Sequence, residues 1–143
     1  MTRVLVFGTF DILHPGHEYF LKQAKKQGDE LVVVVARDST VKQVKGELPH
    51  HDENFRLSNI QKLDYVNRAM LGYESADKYR IIEEVKPDII CLGYDQTHFV
   101  DSLEKKLDEI GLSPDIIRID SYHPHIHKSS HYRKKAKLIN ETR

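Results

Sequence analysis

The chain has a single cysteine, Cys91, in 143 residues, which excludes an internal disulfide. It also lacks an excess of charge of either sign, because 22 Lys and Arg are matched by 22 Asp and Glu. Nothing in that balance calls for nucleic acid or an anionic membrane as partner. No stretch approaches the ~20 consecutive apolar residues that cross a bilayer. Met1-Thr2-Arg3 leads straight into a strand-like segment, without the apolar core of a signal peptide. Repeats, low-complexity tracts and linkers are missing as well. These absences predict one domain over 1–143, cytoplasmic, with neither nucleic acid nor membrane as partner. Histidine, by contrast, is abundant, with nine copies.

What is present is an alternation of short apolar runs with amphipathic segments. "RVLVFG" (3–8), "ELVVVVAR" (30–37), "DIICLG" (88–93) and "DIIRID" (115–120) are rich in Val and Ile and bounded by turn residues. Continuous apolar runs of this length suit strands buried on both faces of a parallel sheet. A weaker strand fits 68–73, and helical patterns cover 18–27, 53–66, 78–85, 102–110 and 130–139. "VKPDII" and "GLSPDII" each end a helix with Pro and open a strand. The alternation predicts an α/β fold, a single Rossmann-like doubly wound parallel sheet. Cys91 falls inside an apolar run, where it behaves as a small hydrophobe without a catalytic role.

Ligands of such sheets sit beyond the carboxyl ends of the strands, where the strand order reverses. The segments after the apolar runs are therefore the places to search, beginning with "FGTFDILHPGH" (7–17). Pro15 and Gly16 fit a helix start, since Pro lacks the N–H that a first turn leaves unpaired and Gly admits a ligand close to the backbone. A helix N-terminus attracts phosphate, and His14 and His17, three apart, can aim at the same anion as protonated donors. A zinc pair or two surface histidines is the competing reading, which the strand, Pro-Gly and helix context outweighs.

Gly8, Phe10, Asp11, His14, Gly16 and His17 fill every specified position of a G-x-F-D-x-x-H-x-G-H pattern. The pattern resembles the signature of the cytidylyltransferase-like nucleotidyltransferases, which join a nucleoside triphosphate to a phosphorylated or carboxylated acceptor and release pyrophosphate. "VARD" (35–38) and "LGYDQ" (92–96) are most similar to the archaeal-type FAD synthases of that family, which transfer AMP from ATP to FMN. Glycerol-3-phosphate cytidylyltransferase is the alternative. Its R-T-x-G-I-S-T-T segment is replaced here by "SYHPHIHKSS", which keeps only the hydroxyls of Ser129 and Ser130. A nucleotide-binding module without turnover is a third reading.

The resemblance implies catalytic roles for His14 and His17 on the triphosphate, with nucleotide contacts from Thr9, Phe10, Pro15 and Gly16. Asp95 would accept a hydrogen bond from ribose or base, with Gln96 in support. A basic residue after the second strand is expected on the phosphates; Lys42 and Arg56 are the candidates, Lys45 lies beside them, and Arg56 is favoured. Ser129 and Ser130 suit the N-cap of a phosphate-binding helix, with Arg133 and Lys134 one turn inward. Tyr122 either stacks on a substrate ring or packs at a strand end, and "HPHIH" (123–127) reads as a polar loop before a metal site. Asp11 either binds metal through water or braces its loop. Beyond the substrates ATP and FMN, a divalent cation, Mg or another, is expected, and a homodimer is compatible with the resemblance.

Overall fold

The computed structural model describes residues 1–74, 79–94, 96, 98–120 and 131–134, with 98–101 and 131–134 as backbone. Strands β1 (Arg3–Gly8), β2 (Glu30–Val35), β3 (Arg68–Leu71), β4 (Ile89–Gly93) and β5 (Asp115–Ile119) pair in parallel, and β6 (His131–Lys134) adds an antiparallel edge to β5. The sheet order is β3-β2-β1-β4-β5-β6. Succession runs outward from β1 to β3 on one side and from β4 on the other, so the order reverses between β1 and β4. Helices α1 (Pro15–Lys25), α2 (Asp38–Lys45), α3 (Glu53–Gln61), α4 (Arg80–Val85) and α5 (His98–Ile110) complete the described elements.

Both faces of the sheet are buried, which explains why the strands read as unbroken apolar runs. Val4, Val6, Val33, Val35 and Cys91 face Leu21 and Ala24 of α1 and Ile60 of α3. Leu5, Val32, Ile90 and Leu92 face Ile81, Ile82 and Val85 of α4 and Leu103 and Leu107 of α5. Neighbours along each strand thus alternate between two cores, as the period of two requires.

Two expectations need correction. The helix expected over 130–139 is not formed at 131–134, which pair with β5 in the register Ile116↔Lys134 to Ile119↔His131. His-Tyr-Arg-Lys suits an edge strand, where charged side chains blunt further pairing, and local sequence alone does not separate that from a polar helix turn. Helix α2 was not expected, because Val41 is its one buried residue and leaves almost no apolar period to read. The expected helix over 53–66 closes early, at Gln61.

Candidate active site

Along the carboxyl ends of β1, β2, β4 and β5 runs a cleft of about 960 Å³. Thr9, Phe10, Asp11, His14, Pro15, Gly16 and His17 all line it, so the structure brings these expected residues together. Its walls are the start of α1 on one side and Thr40, Val41, Val44 and Lys45 of α2 on the other.

The entry to α1 is built from its own histidines. His14 is the N-cap in extended backbone, Pro15 is the first helical residue, and the His14 Nδ1 accepts from the Gly16 N–H at 3.1 Å. In return the His17 Nδ1 accepts, at 3.4 Å, from the His14 N–H. This is a capping box with imidazoles in place of the usual hydroxyl and carboxylate. The two rings stack with centroids 3.8 Å apart. The arrangement revises the expectation of a free Gly16 N–H, which the His14 ring takes up. With Nδ1 of each ring accepting, Nε2 is the nitrogen left to donate. What the helix start can offer a phosphate is therefore a pair of Nε2–H donors, held parallel, at the positive end of the helix dipole.

Phe10 supports this pair from below. It has a positive φ of 52°, is buried, and sets its ring edge-on to His17 with centroids 5.6 Å apart. Gly8 makes room for it, since a Cβ there would stand 2.5 Å from the Phe10 ring carbons. The glycine and the phenylalanine of the motif thus form one device that seats His17.

Asp11, at the edge of the cleft, holds the loop 46–52. Its Oδ2 accepts from the His50 N–H at 2.7 Å and its Oδ1 from the His51 N–H at 2.9 Å. Burial pushes its carboxyl up, but those two backbone donors and the nearby histidine rings outweigh it, and the group is held below its usual range. Among the described residues no group of three His, Cys, Asp or Glu side chains gathers as a metal cage. Each Asp11 oxygen accepts from a backbone donor, as a brace of the loop requires.

Arg56 is the second correction among the site residues. It is completely buried and does not line the cleft. Its Nε donates to the His51 carbonyl at 2.9 Å, its Nη1 to the Thr9 carbonyl at 2.9 Å and its Nη2 to Asp38 Oδ1 at 2.6 Å. A guanidinium so used ties the segment after β1, the start of α2 and loop 46–52 together, and its full burial keeps it off the cleft. Lys42 is not among the residues that line the cleft, whereas Lys45, nearly one turn further along α2, is. Glu53 adds to the brace by accepting from the Asp38 N–H at 2.8 Å and from Arg37 Nη1 at 3.2 Å.

At the other end, Gln96 links the switch point. Its Oε1 accepts from the Gly93 N–H at 2.8 Å and its Nε2 donates to the Phe7 carbonyl at 3.1 Å. Arg118 joins in by donating to the carbonyls of Gly93 at 2.6 Å and Gln96 at 3.2 Å. Asp95, Tyr122, Ser129 and Ser130 lie outside the described residues, as does the run 123–127.

A strand, a Pro-Gly turn and a histidine-capped helix meet at the sheet's switch point, and the family model of cytidylyltransferase-like proteins matches residues 5–135. The chain belongs to the cytidylyltransferase-like family. Among its relatives, the FAD synthases of Thermoplasma volcanium and Thermoplasma acidophilum are 50% and 49% identical over 142 residues, covering 99% of both chains in each case. A crystal structure described as the lipopolysaccharide core biosynthesis protein of Thermoplasma volcanium is 51% identical, with a TM-score of 0.80 over 86% of this chain and 99% of that one. The pantoate-beta-alanine ligase of Francisella tularensis shares the fold alone, at 14% identity and a TM-score of 0.62, over 85% of this chain and 60% of that one. Within this cytidylyltransferase-like chain, sequence reasoning missed Thr40, Val44, Gly72, Tyr73 and Asp120 as lining residues of the cleft. Gly72 and Tyr73 do follow a strand end, a signal that was available; α2 gave none.

Proposed function

We infer that this chain is an FAD synthase, which transfers AMP from ATP to FMN and releases pyrophosphate. The observation that carries the reading is full-length similarity near 50% to FAD synthases, in a chain whose paired histidines cap a helix at the switch point. The FMN phosphate is already anionic at neutral pH, so it needs no general base. One of its oxygens forms a bond to the α-phosphorus of ATP while the bond from that phosphorus to the bridging oxygen breaks, and pyrophosphate leaves with the electron pair. The protein's part is then alignment and neutralisation of charge.

We assign His14 and His17 to that task as Nε2–H donors to the triphosphate. Pro15 and Gly16 let it approach the helix start, and Lys45 supplies a full positive charge from α2 across the cleft. Thr9 and Phe10 shape the floor, and Asp11 acts as the brace of loop 46–52. Asp95, Tyr122, Ser129 and Ser130 keep their proposed nucleotide contacts. A divalent cation, Mg or another, accompanies the triphosphate and is held by phosphate oxygens and water rather than by a cage of side chains. In this reading the protein works in the cytoplasm on small molecules alone, and a homodimer is compatible with it.

The second reading is a polyol- or sugar-phosphate acceptor, favoured by the description of the Thermoplasma volcanium crystal structure. The apolar lining by Phe7, Val34 and Val44 weighs against so polar an acceptor. Pyrophosphate release from ATP plus FMN, compared with CTP plus glycerol 3-phosphate and with products separated chromatographically, tests both. FAD in the first mixture alone supports the inference, and CDP-glycerol in the second overturns it.

A further inference from the structure

The two ring systems that an FAD synthase joins must leave the reacting phosphates in different directions, and the cleft offers two wings on either side of the histidines. Beyond β4 and β5 the lining includes Gln96 and Asp120. Beyond β2 and β3 it is apolar and aromatic, with Phe7, Val34, Gly72 and Tyr73. We propose that this second wing is the seat of the isoalloxazine ring, with Tyr73 as its platform; the proposal rests on the FAD synthase reading.

Four observations converge on it. Phe7 and Val34 are register partners at the carboxyl ends of β1 and β2, so their side chains stand side by side on one face of the sheet. Next to them the chain has a glycine. A Cβ on Gly72 would come within 3.0 Å of Val34 Cγ1, so a side chain there would occupy the wing. Its backbone is pinned by the Arg37 Nε, which donates to the Gly72 carbonyl at 2.7 Å. Tyr73 is fixed before any ligand arrives, because its hydroxyl donates to the Glu84 carboxylate at 2.7 to 2.8 Å and the Arg80 guanidinium lies 4.9 Å above its ring. A ring held in this way stacks a flat ligand without first losing freedom of its own. The cleft's volume of about 960 Å³ stands at the upper end of the range of ~300–1,000 Å³ for small-molecule sites, as two ring systems require.

The test is a set of three variants, Tyr73→Ala, Tyr73→Phe and Gly72→Val, assayed for the KM of FMN and of ATP and for quenching of riboflavin fluorescence. Riboflavin carries no phosphate and reports the ring site alone. Tyr73→Ala is expected to raise the FMN KM about tenfold and to weaken riboflavin binding equally, with the ATP KM within about twofold. Tyr73→Phe keeps the ring but loses the Glu84 hydrogen bond, so its FMN KM and riboflavin binding should fall between those of the wild type and Tyr73→Ala, and a Tyr73→Phe as weak as Tyr73→Ala would mean that the ring itself does not carry the binding. Gly72→Val fills the wing and abolishes riboflavin quenching. A rise in the ATP KM in place of the FMN KM would put adenine in this wing and overturn the proposal, and so would variants that alter neither. If the wild-type protein converts no flavin at all, the FAD synthase reading falls and takes the proposal with it.

Discussion

Replacing Arg56 by Ala separates a structural guanidinium from a phosphate ligand. The substitution removes the donors of the Thr9 and His51 carbonyls and the ion-pair partner of Asp38. Arg56 is fully buried, while the Asp38 side chain is 30% exposed and can regain water. Breaking a buried pair costs about 3–5 kcal/mol, and each carbonyl left without a donor costs about 1–3 kcal/mol. Because Asp38 rehydrates, most of the pair penalty is avoided, and the two carbonyls with the remainder leave a loss of about 3–5 kcal/mol out of a total stability of about 5–15 kcal/mol. With a urea m-value of about 2 kcal/mol/M, the unfolding midpoint falls by roughly 1.5–2.5 M. Arg56→Lys keeps the charge but not the fork, so its loss is smaller yet distinct. Urea titration followed by circular dichroism measures this, together with the KM for ATP in the folded range. A variant as stable as the wild type whose KM for ATP rose more than tenfold would refute the reasoning and make Arg56 a phosphate ligand.

Three further outcomes are expected. His17→Ala should lower kcat by about two orders of magnitude while the KM for ATP changes little, and it should also cost about 1 kcal/mol of stability through the lost cap; equal losses in kcat and affinity would favour simple binding. Asp11 has a folded pKa below its usual value, so its contribution to stability is present above pH ~4 and is lost as pH falls through the folded value; Asp11→Asn should therefore lower stability at pH 7 and flatten the acid limb of the pH–stability curve. Gly8→Ala should displace the Phe10 ring and with it His17, so that kcat drops at least tenfold while far-ultraviolet dichroism is unchanged; full activity would show that Phe10 does not seat the histidine.

The strands were legible because burial on both faces leaves no polar position inside 4–8 or 31–35, and the histidine motif was legible because Pro15 and Gly16 announce the start of α1. Arg56 was not. Its burial depends on two carbonyls and a carboxylate supplied by three separate segments, and none of these leaves a trace in the residues around 56. Lys45 was passed over in favour of Lys42 because the choice turns on which side of α2 faces the cleft, and a helix with one buried residue does not reveal its sides. The capping role of the histidines was also hidden, because His at both positions of a capping box is outside the usual Ser, Thr, Asp and Glu pattern.

The reversal of strand order has a kinetic side. β1 pairs with β4 through Val4↔Ile89, Leu5↔Ile90 and Val6↔Cys91, joining segments at opposite ends of a long stretch of chain. Closing such a loop is entropically costly, so the β1–β4 pairing forms after the nearer β1–β2 pairing, and this seam is a natural place for the native protein to open. The cleft crosses the seam, with residues from β1, β2 and α2 on one bank and Gly93, Tyr94 and Ile119 on the other. A dinucleotide product that reaches both banks clasps them together, protecting the β1–β4 amides from hydrogen exchange in proportion to its affinity. Every contact that tightens this clasp also slows the departure of the product, so thermal endurance and turnover are opposed at one line of the sheet.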